Sequence, residues 1–227
     1  MSLTIFVPRG IQPVHSFDLW GVIIDQGKLG AEQIELYRAL AKDKGFDPGA
    51  VAKTIANYKR LLVGDPWATG KRKGEIINAI EDPLENYGVK VNYSDFFHED
   101  SILVMRQILC AKEGLIVFTS KEAPWLKEHL PQDISAGIIG IYVGDKSNRR
   151  QFERVAAEMA SLKGKLITHT ADELPELVAA RKTGLLRGGL IYVNRNHSNT
   201  EKAVYEAGVD VYVNDLREVG YMGFCHS

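Results

Sequence analysis

The stretch "VHSFDLWGVIID", Val14 to Asp25, decides the fold: a short apolar approach delivers one carboxylate, Asp18, and a glycine follows at Gly21. A carboxylate at the point where a strand gives way to a loop can be a nucleophile or a metal ligand. It can equally be the polar start of a turn, because short polar side chains bond readily to nearby backbone. Gly21 adds that backbone and a ligand can approach closely there, since glycine carries no side chain. The stretch by itself leaves these readings open.

Further along the chain, apolar runs bounded by turn residues recur at "GLIVFTS" (Gly114 to Ser120), "GIIGIYVG" (Gly137 to Gly144), "KLITHT" (Lys165 to Thr170), "GGLIYVNR" (Gly188 to Arg195) and "DVYVNDL" (Asp210 to Leu216). Such runs suit strands buried on both faces. Helical patterns lie between them, with Phe152, Val155, Ala156 and Met159 on one face and Leu174, Leu177 and Val178 on another. Strands alternating with helices predict an α/β fold, a Rossmann-like and mostly parallel sheet with right-handed crossovers. Ligands of such sheets bind beyond the carboxyl ends of the strands.

The segment directly after the opening stretch differs. "AEQIELYRALAKDKGF", "GAVAKTIANYKRLLVG", "KGEIINAIEDPLENYG" and "HEDSILVMRQILCAKEG" show helical spacing with no strong strand between them. The expected organisation is a core of residues 1–26 and 107–227 with an all-helical insertion, 27–106. Because the insertion follows the first strand and its loop, it is expected over the carboxyl edge of the sheet, as a lid. The 227 residues suffice for both parts.

Lys plus Arg number 28 against 29 for Asp plus Glu, a net charge of -1. That balance gives no electrostatic ground for a nucleic acid or an anionic membrane as partner, and a small molecule is expected instead. Cys110 and Cys225 lie far apart without metal-like spacing, which suits a reducing cytoplasm. No charged stretch leads into a long apolar run, so a soluble cytoplasmic protein is expected, and the sequons at Asn92 and Asn196 read as chance matches.

Three further pieces follow Asp18 in order. "IVFTSK" ends a buried run with Thr119 and Ser120, a hydroxyl and N–H groups able to hold an anion. "DKSNRRQF" places Lys146 at the head of a helix whose first apolar anchor is Phe152. "THTADELPELVAARKTGL" ends a strand with Asp172 and puts Glu176 one helical turn later, on the same side.

With these four pieces the chain resembles the haloacid-dehalogenase-like (HAD-like) hydrolase superfamily over nearly its whole length. That family's motifs are a strand-end nucleophilic Asp, a strand-end Ser or Thr, a Lys opening a helix, and an acidic pair after the fourth strand. The fourth piece is similar to the enolase-phosphatase branch, and the helical insertion looks like the family's first-position cap. The resemblance implies that Asp18 attacks phosphorus, that Lys146 and Thr119 contact the phosphoryl oxygens, and that Ser120 and Trp20 lie at the substrate. It also implies Mg²⁺, with Asp18, Asp172 and the Trp20 carbonyl as ligands and Glu176 orienting the metal's surroundings.

The first motif departs from the family's "DxDGT": the chain reads Asp18, Leu19, Trp20, Gly21, Val22. An indole cannot replace the missing second Asp, which serves the family as general acid and base. Three outcomes stay open. A phosphorylated substrate with a good leaving group, such as an acyl phosphate, could still be cleaved. A dehalogenase-like or phosphonatase-like reaction is the second, with Lys53 or Lys59 available for the latter. The third is a non-catalytic binding protein of the same fold.

Other residues read more plainly. His15 and His169 lie near strand ends and could shuttle protons, but alternation can equally point them away from the acids. Trp67 and Trp125 could line a cleft, with packing as the default. The "GKRKG" run at Gly70 to Gly74 reads as a solvated loop. Gly188 and Gly189 lack the spacing of a dinucleotide site.

Overall fold

In the computed structural model, which describes residues 11–63, 71–186, 189–195 and 199–219, six strands form along the chain. They are β1 (Gln12–Asp18), β2 (Gly114–Thr119), β3 (Ile138–Val143), β4 (Gly164–Ala171), β5 (Leu190–Val193) and β6 (Val211–Val213). Trp67, Gly70, Gly188, Asn196 and Cys225 lie outside the described residues. The helices are α1 (Gln26–Lys44), α2 (Pro48–Leu62), α3 (Lys71–Asn86), α4 (Glu99–Cys110), α5 (Leu126–His129), α6 (Gln132–Gly137), α7 (Arg149–Ser161), α8 (Leu174–Arg181) and α9 (Glu201–Glu206).

All strand pairs are parallel, in the order β3-β2-β1-β4-β5-β6. From β1 the chain builds outward through β2 to β3, then returns to the other side of β1 for β4. The loops leaving β1 and β4 therefore diverge, and a crevice opens at their carboxyl ends. The α/β expectation holds.

Interior strands are buried on both faces, as their apolar runs require: all of β2 and β5, and the last five residues of β1, are buried. The expectation of two buried faces fails for "GIIGIYVG". β3 pairs only with β2 and forms an edge, leaving Ile139 and Val143 each 41% exposed. Phe152, Val155 and Met159 of α7 pack with Ile116 and Phe118 of β2 and Leu166 of β4 in one core cluster.

The described parts of 1–24 and 97–227 make one compact unit, and Asp25–Phe96 makes a second. The helical segment ends earlier than the expected 106, because α4 belongs with the sheet. It packs on β2 and α6 and buries Val104, Met105 and Ile108. Its Ser101 Oγ donates to Val22 O (2.5 Å), and its Asp100 accepts from Arg195 Nη2 (2.8 Å) and Leu216 N (2.7 Å). One apolar stripe looks the same whether it covers a sheet or another helix, which is why spacing misplaced this helix.

Within the second unit, Asp25 caps α1 by accepting from Lys28 N (3.0 Å), and Asp47 caps α2 by accepting from Ala50 N (2.7 Å). Ile34, Tyr37, Leu40, Ile55, Tyr58, Ile80 and Leu84 form its core. Tyr58 donates to Gln33 Oε1, and Gln33 Nε2 donates to Glu81 (3.2 Å), so one polar chain joins all three helices. Among the described residues no helix is long and apolar enough to cross a membrane.

Candidate active site

Asp18 is the last residue of β1 and fully buried. The chain then turns at once: Leu19 N donates to Phe118 O (2.9 Å), Trp20 N to Asp18 Oδ1 (3.2 Å), and Ile24 N back to Leu19 O (2.9 Å). Gly21 sits in the left-handed region at φ +82°, and a Cβ built there would lie 2.0 Å from Asp172 Oδ2. Asp172, the first residue after β4, thus rests against the backbone of the loop that follows Asp18. Asp172 is close enough to Asp18 for the charge on Asp18 to raise its pKa.

Lys146 comes from the loop between β3 and α7, where Asn148 caps the helix by accepting from Arg150 N (3.0 Å). Its ammonium contacts Asp18 Oδ2 and lies 2.8 Å from Glu176 Oε2. Glu176 Oε1 lies 2.8 Å from His169 Nε2, and His169 Nδ1 lies 2.8 Å from Ser16 Oγ. Both oxygens of Glu176 are therefore committed to protein partners. Glu176 thus stands between the Lys146 ammonium and the His169 ring.

Burial shapes the charges. Removal from water lifts Asp18 to about 7, with Glu176 adding to the rise and Lys146 opposing it. Burial likewise takes Glu176 to about 7 against the pull of Lys146, and raises Asp172 well above the usual range, with Asp18 adding to the rise. Burial alone would lower Lys146, but Asp18 and Glu176 together raise it, so it stays an ammonium. His169 is pushed down to about 3, again by burial, and is neutral.

No family model and no curated protein matches the chain, but solved structures do. A HAD phosphatase from Thermococcus onnurineus gives a TM-score of 0.58 at 13% identity, covering 91% of this chain and 95% of that one. A Bacillus subtilis protein assigned as a HAD-hydrolase, solved with magnesium bound, gives 0.57 at 13% identity, covering 92% and 96%. A Thermotoga maritima protein assigned as a β-phosphoglucomutase gives 0.56 at 17% identity, covering 88% and 94%. The fold is that of the HAD-like hydrolases.

On this HAD-like scaffold the residues expected at the site do not all converge. Asp18, Lys146 and Glu176 are in contact, and Asp172 joins them through Gly21. Thr119 is buried at the end of β2, but its hydroxyl closes a turn, donating to Lys121 O (2.7 Å). Ser120 is exposed beside it. Trp20 packs edge-on against Trp125 with ring centres 6.0 Å apart. His15 points to the other face of β1, 2.6 Å from Glu113.

His169 is the residue that pattern reading underrated. A bulge shifts the β1–β4 register between Val14 and His15, so that Ser16 pairs with His169. Residues paired across strands share a face, and Ser16 shares its face with Asp18 two positions on. Without the bulge Ser16 would face Thr168, and His169 would turn to the opposite side. Only the register carries this signal.

The buried carboxylates of this site are hard oxygen donors of the kind Mg²⁺ takes. Three buried carboxylates, Asp18, Asp172 and Glu176, face one ammonium, and the neighbouring imidazole is neutral. Among the described residues no group of three or more His, Cys, Asp or Glu side chains is placed to hold a metal.

Proposed function

We propose that the chain is a hydrolase acting on a small phosphorylated metabolite through a phosphoryl-aspartate formed on Asp18. The reading rests above all on Lys146, whose buried ammonium contacts Asp18 and Glu176 at the carboxyl ends of the central strands, beside Asp172. An Asp Oδ attacks phosphorus, the bond to the leaving group breaks, and water then cleaves the acyl phosphate to release inorganic phosphate. Mg²⁺ bound by Asp18, Asp172 and the Trp20 carbonyl would offset the repulsion between anionic nucleophile and anionic substrate. Lys146 adds a fixed positive charge at the phosphoryl oxygens.

Thr119 can donate to the same oxygens by exchanging its bond to Lys121 O for one to substrate, at small net cost because one hydrogen bond replaces another. The helical unit, Asp25–Phe96, is assigned the role of cap. The indole N–H of Trp20 can donate a hydrogen bond but cannot serve as a general acid, and positioned acid–base catalysis typically contributes about a hundredfold to ten-thousandfold. Substrates whose leaving group departs as a stable anion, acyl phosphates above all, are therefore favoured.

The test is phosphate release with Mg²⁺ from a panel of acyl phosphates and alkyl phosphates, run beside haloacids. Acyl phosphates are expected to react fastest, with activity lost in Asp18→Asn and on chelation. Halide release without metal would move the reading to attack on carbon. Silence of the folded protein across the whole panel would leave a binding role.

A further inference from the structure

The chain of contacts behind Lys146 extends further than the proposed reaction uses. Ser16 Oγ donates to Thr168 O (2.8 Å) and meets His169 Nδ1, while His169 Nε2 meets Glu176 Oε1. Glu176 Oε2 in turn meets Lys146, and Lys146 meets Asp18. Ser16 and His169 are fully buried, and Glu176 is 2% exposed. The ring is also fixed from its sides: Phe152 and Phe118 lie edge-on to it, with centres 4.9 and 5.4 Å away, and are themselves stacked 4.9 Å apart.

A carboxylate in the first turn of α8 has rotamers that would carry it away from Lys146. The imidazole, locked at one nitrogen by Ser16 and on its flanks by two phenyl rings, presents the other nitrogen at one position only. Glu176 bonded there has a single oxygen left, and that oxygen takes the ammonium. We infer that His169, keyed by Ser16, is a positioning residue that orients Glu176 and through it holds Lys146 against Asp18. It touches neither substrate nor reacting atoms. The inference rests on the proposed hydrolysis for its readout.

The experiment compares His169→Asn with His169→Gln. The Asn amide reaches about as far as Nδ1 and loses Glu176. The longer Gln amide reaches towards Nε2, and its N–H or C=O can meet Glu176 Oε1. On the best phosphorylated substrate, kcat of H169N is expected to fall roughly tenfold to a hundredfold, the scale of a small misplacement of a reacting group. H169Q should recover most of that loss at a similar melting temperature. In a Glu176→Gln background the H169N substitution should have little further effect, since the path it acts through is already cut.

Wild-type kcat in H169N would overturn the inference, as would equal losses in both His variants that persist in the E176Q background, the mark of packing alone. Should H169N fail to fold, Ser16→Ala asks the same question from the far end: a severalfold drop in kcat supports the inference, and an unchanged kcat overturns it. Inactive wild-type protein would instead sink the proposed hydrolysis, so the two failures are distinguishable.

Discussion

Gly21 does two things at once, holding a left-handed backbone and leaving the space that the Asp172 carboxylate fills. Gly21→Ala should cost about 1–2 kcal/mol from the backbone alone. It should also displace Asp172, so Mg²⁺ affinity measured by calorimetry is expected to fall more than a urea titration of stability would suggest. Trp20 poses the opposite question, what a missing acid costs. Trp20→Asp is expected to raise alkyl-phosphate turnover by up to about a hundredfold, measured as phosphate release. Asp18 stood out in the sequence at a strand end before a glycine, and Lys146 at the head of a helix; the contact between them is seen only in the fold. His169 did not stand out, because an imidazole on a strand gives no sign of which face it takes.

Among the secondary-structure elements, α7 serves as the wedge that fixes the site. Phe152 stacks on Phe118 of β2 and abuts the ring of His169 on β4, so one side chain packs against two strands. Phe152→Ala should destabilise by about 3–5 kcal/mol, read from urea unfolding, since the cavity opens in the core cluster of the sheet unit. The strands themselves were readable because parallel strands buried on both faces make unbroken apolar runs. The roles of neighbours were not: β3 has the same composition as an interior strand yet lies at the edge, and α4 has the stripe of a cap helix yet covers the sheet. Composition records that a face is buried, and leaves open what buries it.

Across the whole molecule, the buried cluster ties stability to pH. Asp18 and Glu176, held near 7 by burial, keep protons in the folded chain that an unfolded chain sheds near 3.8 and 4.5. Between those values the folded state binds more protons, so stability falls as pH rises, and Asp172 adds to the trend. His169 opposes it, because the unfolded ring takes a proton below about 6.5 that the folded ring, pushed down to about 3, refuses. Three carboxylates outweigh one imidazole. In chelator, the melting temperature should therefore fall from pH 5 to pH 7.5, less steeply in Glu176→Gln, and Mg²⁺ should restore it at the upper end. The linear chain already carried the α/β alternation, the helical insertion and the order of Asp18, Lys146 and Asp172, since periodicity and loop chemistry are local properties. The bulge between β1 and β4 and the ring contact it creates came only with the folded sheet, because they depend on how two segments some 150 residues apart slide past one another, and the edge position of β3 came only with the order of the strands.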